Sequence, residues 1–376
     1  MTIRVLHVIT GLNTGGAERM LEKVVTCPAR RCTDIIVSLL DQGPVGRRLV
    51  ERGIEVHALG LARGGASISA LWRLMGILRR TRPQVVQGWM YHGNLAASLA
   101  VPFSFLRDVK VHWGIRQTLY GLDREKRGTR AVIRLLARLS RRPGTIHYNS
   151  TRSRQQHEAL GFSGAHGVII PNGFDVDTYQ RDEHRIAAAR EKLGVAPSSF
   201  VIGMVARDHP MKDHRNFLEG AARFLKAGGD AEFVLVGRGV TAENPEIRSA
   251  VAELGLESRT RLLGELEDPT IAYRAMDVLA LTSAWGEAFP NVLGEAMSFE
   301  IPCVTTDVGD AAEIVGESGF VVPIRDPDAL AAAFRKLHSM DVAERRRLGA
   351  VARARVLRNY SLREICQKFN DLHGIQ

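Results

Sequence analysis

The sequence predicts an α/β protein of two domains, each a parallel sheet with helices on both faces. Three observations carry this. The chain has 376 residues, too many for one compact core and enough for two of similar size. Short β-rich runs alternate with helical stretches, the rhythm of a doubly wound sheet whose ligands sit at the carboxyl ends of its strands. The rhythm breaks after Val168-Ile-Ile-Pro-Asn-Gly-Phe-Asp175 and restarts at Phe200. Pro171 stiffens a strand exit and Asn172-Gly173 permits a turn, so we place the domains at 1–172 and 173–376.

The first domain opens with the β-rich run Ile3–Ile9, then Gly11-Leu-Asn-Thr-Gly-Gly16, then Ala17–Val25, which turns helical. Gly15 and Gly16 let the backbone approach a ligand closely, or make a tight turn. Their spacing is not the G-x-G-x-x-G of a dinucleotide site. Strand and helix signals follow at Asp34–Leu39, Val45–Arg52, Glu55–Leu59, Ser67–Arg80 and Val85–Gly88. A helix from Asn94, a strand at Lys110–Ile115, a basic helix near Thr129–Leu139 and a strand at Thr145–Asn149 complete the domain. Two strand ends are polar, Gly88-Trp-Met-Tyr-His92-Gly-Asn94 and His112-Trp-Gly-Ile-Arg116-Gln-Thr118.

The second domain starts with the strand Phe200–Val205 and its exit loop Ala206-Arg207-Asp-His-Pro-Met-Lys212-Asp-His214. Arg207 and Lys212 stand where a phosphate is expected and carry the charge to balance a diphosphate. Glu232–Val236 and Thr260–Leu263 supply further strands. Val278–Leu281 reads as a buried strand ending in Thr282-Ser283, followed by a loop with Gly286, Glu287 and Pro290. Asn291 is expected to cap the helix that runs on through Glu295 to Met297. Unpaired N–H groups at such a corner suit a ligand phosphate. Pro290 has none, which leaves the amides of Phe289, Asn291, Val292 and Leu293.

Two carboxylates beside a diphosphate make sense as acceptors of hydroxyl hydrogen bonds, Glu287 from a sugar ring and Glu295 from a ribose. That combination points to a nucleotide-sugar. A Glu pair at this spacing also arises by chance about once in a chain this long. Past this stretch come Ile301–Thr305, Asp307–Asp310, Gly319–Pro323 and amphipathic helices at Ala329–Leu337, Ala343–Asn359 and Leu362–Leu372.

Composition narrows the function classes. No apolar run reaches the roughly 18 residues of a membrane span, and the N-terminus lacks the pattern of a signal peptide. Cys27, Cys32, Cys303 and Cys366 lack paired C-x2-C spacing and no His or Asp cluster accompanies them, so no metal is expected and reduced cytosolic thiols fit. The net charge is +10, and from Arg107 to Arg154 there are 13 Lys or Arg against three acids. A basic surface of this kind attracts an anionic membrane or is merely solvated. The apolar segment Leu95–Leu106 beside it suits a protein resting on a membrane, or a buried helix. No nucleic-acid-binding module accompanies the charge, so nucleic acid is not expected.

Glu287 to Glu295, followed by Ala296-Met297, resembles the E-x7-E signature of retaining family 4 glycosyltransferases. Arg207 and Lys212 match the family's R-x4-K pair, and Ile170-Pro-Asn-Gly-Phe-Asp175 its I-P-N-G-x-D junction. The resemblance covers nearly the whole chain. It implies the GT-B fold, two Rossmann-like domains facing across a cleft, with the last helix (about 361–376) crossing back to the first. It also implies a donor site of Gly15, Gly16, Arg207, Lys212, Glu287, Ala288, Phe289, Asn291, Val292 and Glu295. In that site Arg207 and Lys212 stabilise the leaving diphosphate, Glu287 holds the hexose and Glu295 the ribose. Two departures stand out. Many relatives carry His where this chain reads Ile115-Arg-Gln117, and Gly where it has Glu300, read here as a local turn change.

The expected function is retaining, metal-independent transfer of a hexose from a UDP- or GDP-linked donor, with no cofactor. The acceptor is expected to be a lipid-linked or cell-surface glycan intermediate, and the place the cytoplasm, at the inner face of the cell membrane. On the acceptor side, His92 contacts or deprotonates the acceptor, or serves the core. Arg116 binds acceptor phosphate or lies near the leaving group. A nucleotide-sugar epimerase or hydrolase, and a non-catalytic nucleotide-sugar-binding subunit, stay open as alternatives.

Overall fold

The structure is a computed structural model and describes residues 2–13, 15–62 and 67–375, with only the backbone at Arg124. Thr14 of the glycine loop lies outside the described residues. Seven strands make the first sheet: β1 (Arg4–Ile9), β2 (Thr33–Ser38), β3 (Glu55–Ala58), β4 (Val85–Trp89), β5 (Lys110–Ile115), β6 (Thr145–Tyr148) and β7 (Gly167–Ile169). They lie in the order β3-β2-β1-β4-β5-β6-β7. Six make the second: β8 (Val201–Val205), β9 (Glu232–Val236), β10 (Thr260–Leu262), β11 (Val278–Leu281), β12 (Cys303–Thr306) and β13 (Gly319–Val322). Their order is β10-β9-β8-β11-β12-β13. Neighbouring strands pair in parallel in both, so each sheet is doubly wound with its strand order reversing beside β1 and β8.

The chain divides into two compact units, Met1–Gly173 with Leu362–Gln376, and Phe174–Ser361. The helix Leu362–His373 belongs to the first because its apolar face is complementary to that sheet. Ile365 and Phe369 are buried with Ile9, Ile36 and Trp89, and Phe369 stacks on Trp89 at 5.8 Å. The second sheet lies between two apolar clusters. One includes Leu279, Leu281, Leu293 and Met297; the other includes Ile202, Met204, Phe217 and Phe334. No helix among the described residues is long and apolar enough to cross a membrane.

Beneath the helix Leu362–His373 the first sheet is polar. Register places His7, Gln87 and His112 side by side on β1, β4 and β5, and His147 one step further on β6. His373 of the covering helix lies against His7 and His112, at 6.0 Å between ring centres in both cases. Asp34 binds His7 Nε2 at 2.8 Å and accepts from Arg30, which also reaches Asn370 and His373. Burial pushes all four imidazoles down, His112 to about 4, so they are neutral near neutral pH.

Two local readings are corrected. The helix expected from Asn94 begins at Met90, directly after β4, with Met90 at φ 62, so His92 is a first-turn helical residue and not part of a loop. The helix of the central stretch is Asn291–Ser298, with Pro290 in the capping position and no side-chain cap, so Asn291 is its first residue. Glu300 takes φ 62, the left-handed backbone that glycine adopts at no steric cost, here borne by a residue with a Cβ.

Candidate active site

In the second unit the ends of β8 and β11 meet. Beyond β8 the chain makes a single tight turn, Pro210–Lys212, whose first amides are met by His209 Nδ1, accepting from Met211 N at 3.1 Å. Asp213 then takes φ 52 and caps the helix His214–Lys226, accepting from Asn216 N. The end of β11 fixes this turn in place. Thr282 Oγ1 donates to the carbonyls of Lys212 and Asp213 at 3.0 and 3.1 Å, and Ala284 N to that of Met211 at 2.9 Å. The result carries Lys212 to Glu287.

Lys212 Nζ donates to Glu287 Oε1, and Ser283 Oγ donates to the same oxygen at 2.6 Å. Glu287 is 7 % exposed, so this charge pair sits where water screens it little. Its position is set from behind. Gly309, at φ 64, presses on the Glu287 carbonyl so closely that any Cβ would overlap it, and Asp310 N donates to Ala288 O at 3.0 Å. Gly286, at φ 86, likewise leaves no room for a Cβ beside Met211. Sequence reasoning missed Ser283, although a hydroxyl four residues before Glu287 was its signal, and missed Gly309, which lies beyond β12.

Glu295 sits half-buried one turn into the helix Asn291–Ser298 and accepts from Tyr273 OH at 2.6 Å. Burial holds the Tyr273 phenol far above its usual value, so it stays a donor and fixes one carboxylate oxygen. Asn291 and Val292 are half-buried in the first turn of that helix. Leu293 N, expected to be free, donates to Pro290 O at 3.3 Å. The Phe289 ring stacks on Phe174 and meets Tyr360 edge-on, so its side chain belongs to the core. Arg207 is exposed and makes no ion pair with a described residue.

The first-unit candidates are placed differently. Gly15 and Gly16 begin the helix Gly16–Val25, and the Glu18 carboxylate folds back over Gly15, where burial raises it. His92 is half-buried and pushed down by burial, hence neutral and able to take a proton at neutral pH. Arg116 is buried, donates to Asn172 Oδ1 and Pro171 O, and lies over the Trp89 ring at 5.6 Å. Burial lowers it to about 9, and its Nε and Nη1 have no hydrogen-bond partner among the described residues. It braces the chain at the end of the unit. Among the described residues no group of three or more His, Cys, Asp or Glu converges as a metal site.

Two family models match, a glycosyl transferase 4-like domain over residues 15–173 and the glycosyl transferases group 1 over 199–340. The first spans β2 to β7 and the second all of β8 to β13, and the second contains the Lys212–Glu287 pair and Glu295. The chain belongs to the family 4 glycosyltransferases. It is 31% identical over 215 residues to a phosphatidyl-myo-inositol mannosyltransferase of Mycolicibacterium smegmatis, covering 56% of this chain and 51% of that protein. It is 30% identical over 165 residues to the Escherichia coli UDP-Gal:alpha-D-GlcNAc-diphosphoundecaprenol alpha-1,3-galactosyltransferase, covering 43% and 42%. The chain thus matches about half the length of these curated relatives. Among solved structures it is similar to Anabaena Alr3699/HepE in complex with UDP, with TM-score 0.85 at 21% identity and all of both chains covered. A Rickettsia africae glycosyltransferase gives TM-score 0.85 at 17% identity, covering 99% and 98%. These likenesses establish for the family member described here the GT-B fold, two Rossmann-like units.

Proposed function

We propose that this chain is a retaining glycosyltransferase that moves a hexose from a UDP- or GDP-linked donor to a lipid-linked or cell-surface glycan intermediate. The observation that carries the reading is the convergence of Lys212, Glu287 and Ser283 at the ends of β8 and β11, with Glu295 one helical turn beyond. Matched relatives named as mannosyl- and galactosyltransferases acting on a phosphoinositide or a diphosphoundecaprenol glycan support the acceptor class. Solved neighbours named as complexes with UDP and UDP-glucose support the donor class.

In this reading the donor diphosphate takes Lys212 away from Glu287, with Arg207 as the second cation and the amides of Asn291 and Val292 as donors. Glu287, freed from Lys212, accepts from the hexose hydroxyls, while Glu295, oriented by Tyr273, accepts from the ribose. Charge builds on the leaving diphosphate as the glycosidic bond breaks, and fixed cations stabilise it there. No metal and no cofactor is invoked, because Arg207 and Lys212 supply that charge and the nucleotide-sugar is itself a substrate. Attack comes from the same face as departure, assisted by the leaving phosphate, which retains the anomeric configuration. In the first unit Gly15 and Gly16 are proposed as backbone donors to a ligand, and His92 as the acceptor-side base. Work at the inner face of the cell membrane follows from a lipid-linked acceptor.

The test joins binding to turnover. UDP, GDP, UDP-glucose and GDP-mannose are screened for a raised unfolding midpoint. The labelled form of the stabilising donor is then incubated with bacterial membranes, and label entering lipid extracts is counted. Glu287→Gln is expected to cut transfer about 10²- to 10³-fold with the fold intact. Near-normal transfer removes Glu287 from the site. Donor breakdown independent of membranes favours a hydrolase or epimerase, and donor binding without turnover a binding subunit.

A further inference from the structure

We propose that one helical layer of the first unit, built from Ile68–Thr81, Met90–Phe103 and Arg127–Leu139, is a docking surface for an anionic lipid membrane. It deepens the reading of a lipid-linked acceptor, on which it rests for its purpose; its geometry stands alone. The three helices pack side by side on one face of the sheet. Their inner faces bury Leu74, Leu78, Ala97, Val101, Ile133 and Leu136. Their outer faces should then be polar throughout, as on any solvated helix. They carry arginines, but large apolar side chains stand exposed among them.

Ile68 is 78% exposed, Trp72 61%, Phe103 58% and Phe105 81%. Every exposed Trp and Phe among the described residues lies on this layer or in the turn that ends it. The turn is built rather than frayed. Arg79 donates to the carbonyls of Phe103 and Ser104 at 3.1 and 3.2 Å and lies over the Phe105 ring, while Phe105 itself is held at φ 58. A non-glycine residue fixed in the left-handed region with most of its ring in water bears a conformational cost and leaves apolar surface exposed.

The charge around these rings is mostly positive, with Asp108 as an exposed acid three residues past Phe105. No Asp or Glu occurs from residue 56 to 107 or from 126 to 157, and Arg134 and Arg138 face outward on the third helix. Aromatic rings favour the boundary between headgroups and acyl chains, and arginines meet lipid phosphates. A second copy of so basic a face would be repelled, and a nucleic-acid duplex, whose bases are already stacked, would gain little from Ile68 and the exposed rings.

The test uses the full chain and vesicles of phosphatidylcholine alone or mixed with phosphatidylglycerol, at low and high salt. Sedimentation with the mixed vesicles alone, weakened by salt, is expected. The triple variant Trp72→Ser, Phe103→Ser, Phe105→Ser should stay in the supernatant. The exposed pair Arg134→Glu and Arg138→Glu should weaken binding by about fivefold per arginine removed, and serves if the aromatic variant fails to fold. Both should keep the nucleotide-induced rise in midpoint, which reads the second unit. The proposal is overturned if wild type ignores anionic vesicles, if both variants sediment like wild type, or if the triple variant instead splits a dimer or loses duplex DNA. Failure of the nucleotide response with vesicle binding intact would sink the transferase reading and leave this surface standing.

Discussion

The first unit carries 28 Lys and Arg against 12 Asp and Glu, the second 23 against 29, so a net +16 sits beside −6. Both are parallel sheets between helices, yet their polar residues lead different lives. In the second unit the sheet interior is apolar, and the functional groups gather at the strand ends, where Lys212, Glu287 and Ser283 meet. In the first unit polar groups run through the sheet itself, His7, Gln87, His112 and His147 under the returning helix, and the strand-end Arg116 is drawn inward to brace Pro171 and Asn172. The same topology therefore yields a ligand-ready corner in one case and a sealed polar layer with a basic exterior in the other. What differs is which residues stand next to the strand ends, not the fold.

The sharpest way to break this comparison is to remove one strand-end cation from each unit. Lys212→Met should abolish the nucleotide-induced rise in unfolding midpoint and lower transfer about 10²-fold or more. Arg116→Met should leave the nucleotide response intact and move only the midpoint itself. Equal losses of nucleotide response would mean that Arg116 serves the donor after all. Gly309→Val comes next. Its Cβ would overlap the Glu287 carbonyl from a left-handed backbone, so calorimetry should read a loss of about 3 kcal/mol, with the nucleotide response falling alongside.

Acid should separate the units by stability. His7, His112, His147, His157 and His373 of the first unit are held by burial below the value near 6.5 of an unfolded chain; in the second, His214 alone among the described residues is so lowered. The unfolded state takes up these protons first, so the stability given by neutral imidazoles is complete above about pH 6.5. For His112 and His157 it is lost as pH falls from there toward about 4, by up to about 1.4 kcal/mol per pH unit for each, and the other three lose theirs in the same direction as pH falls below 6.5. Amide exchange at pH 5 against pH 7.5 should show the first unit loosening before the second; a uniform loss would remove the histidine layer as the cause. The smallest effect belongs to Glu300→Gly, which relieves a left-handed Glu and should raise the midpoint by the equivalent of about 1 kcal/mol or less in thermal melts.

Much of this was legible in the chain. Strand–helix alternation and the restart at Phe200 depend on local periodicity, which neighbouring residues encode by themselves, and both sheets follow it. The resemblance singled out Lys212, Glu287 and Glu295 by spacing along the chain. Capping at Asn291 was misjudged because a favourable residue type does not decide which backbone position it takes; Pro290, with no N–H to lose, holds the cap instead. The free amide at Leu293 was misjudged for the same reason, since a carbonyl three residues back was within reach.

The sequence by itself determined the order of elements, the two-sheet plan, the basic character of residues 107–154 and the identity of the charged groups at the strand ends. Only tertiary structure decided that Lys212 and Glu287 bind each other, that Gly309 fixes Glu287 from behind, and that Arg116 turns into the first unit. It alone gathered Trp72, Phe103 and Phe105, more than thirty positions apart in the chain at their widest, onto one face. The reason is range: periodicity and composition act between neighbours, whereas ion pairs, close backbone approach and surface patches join residues that only the folded sheet brings together.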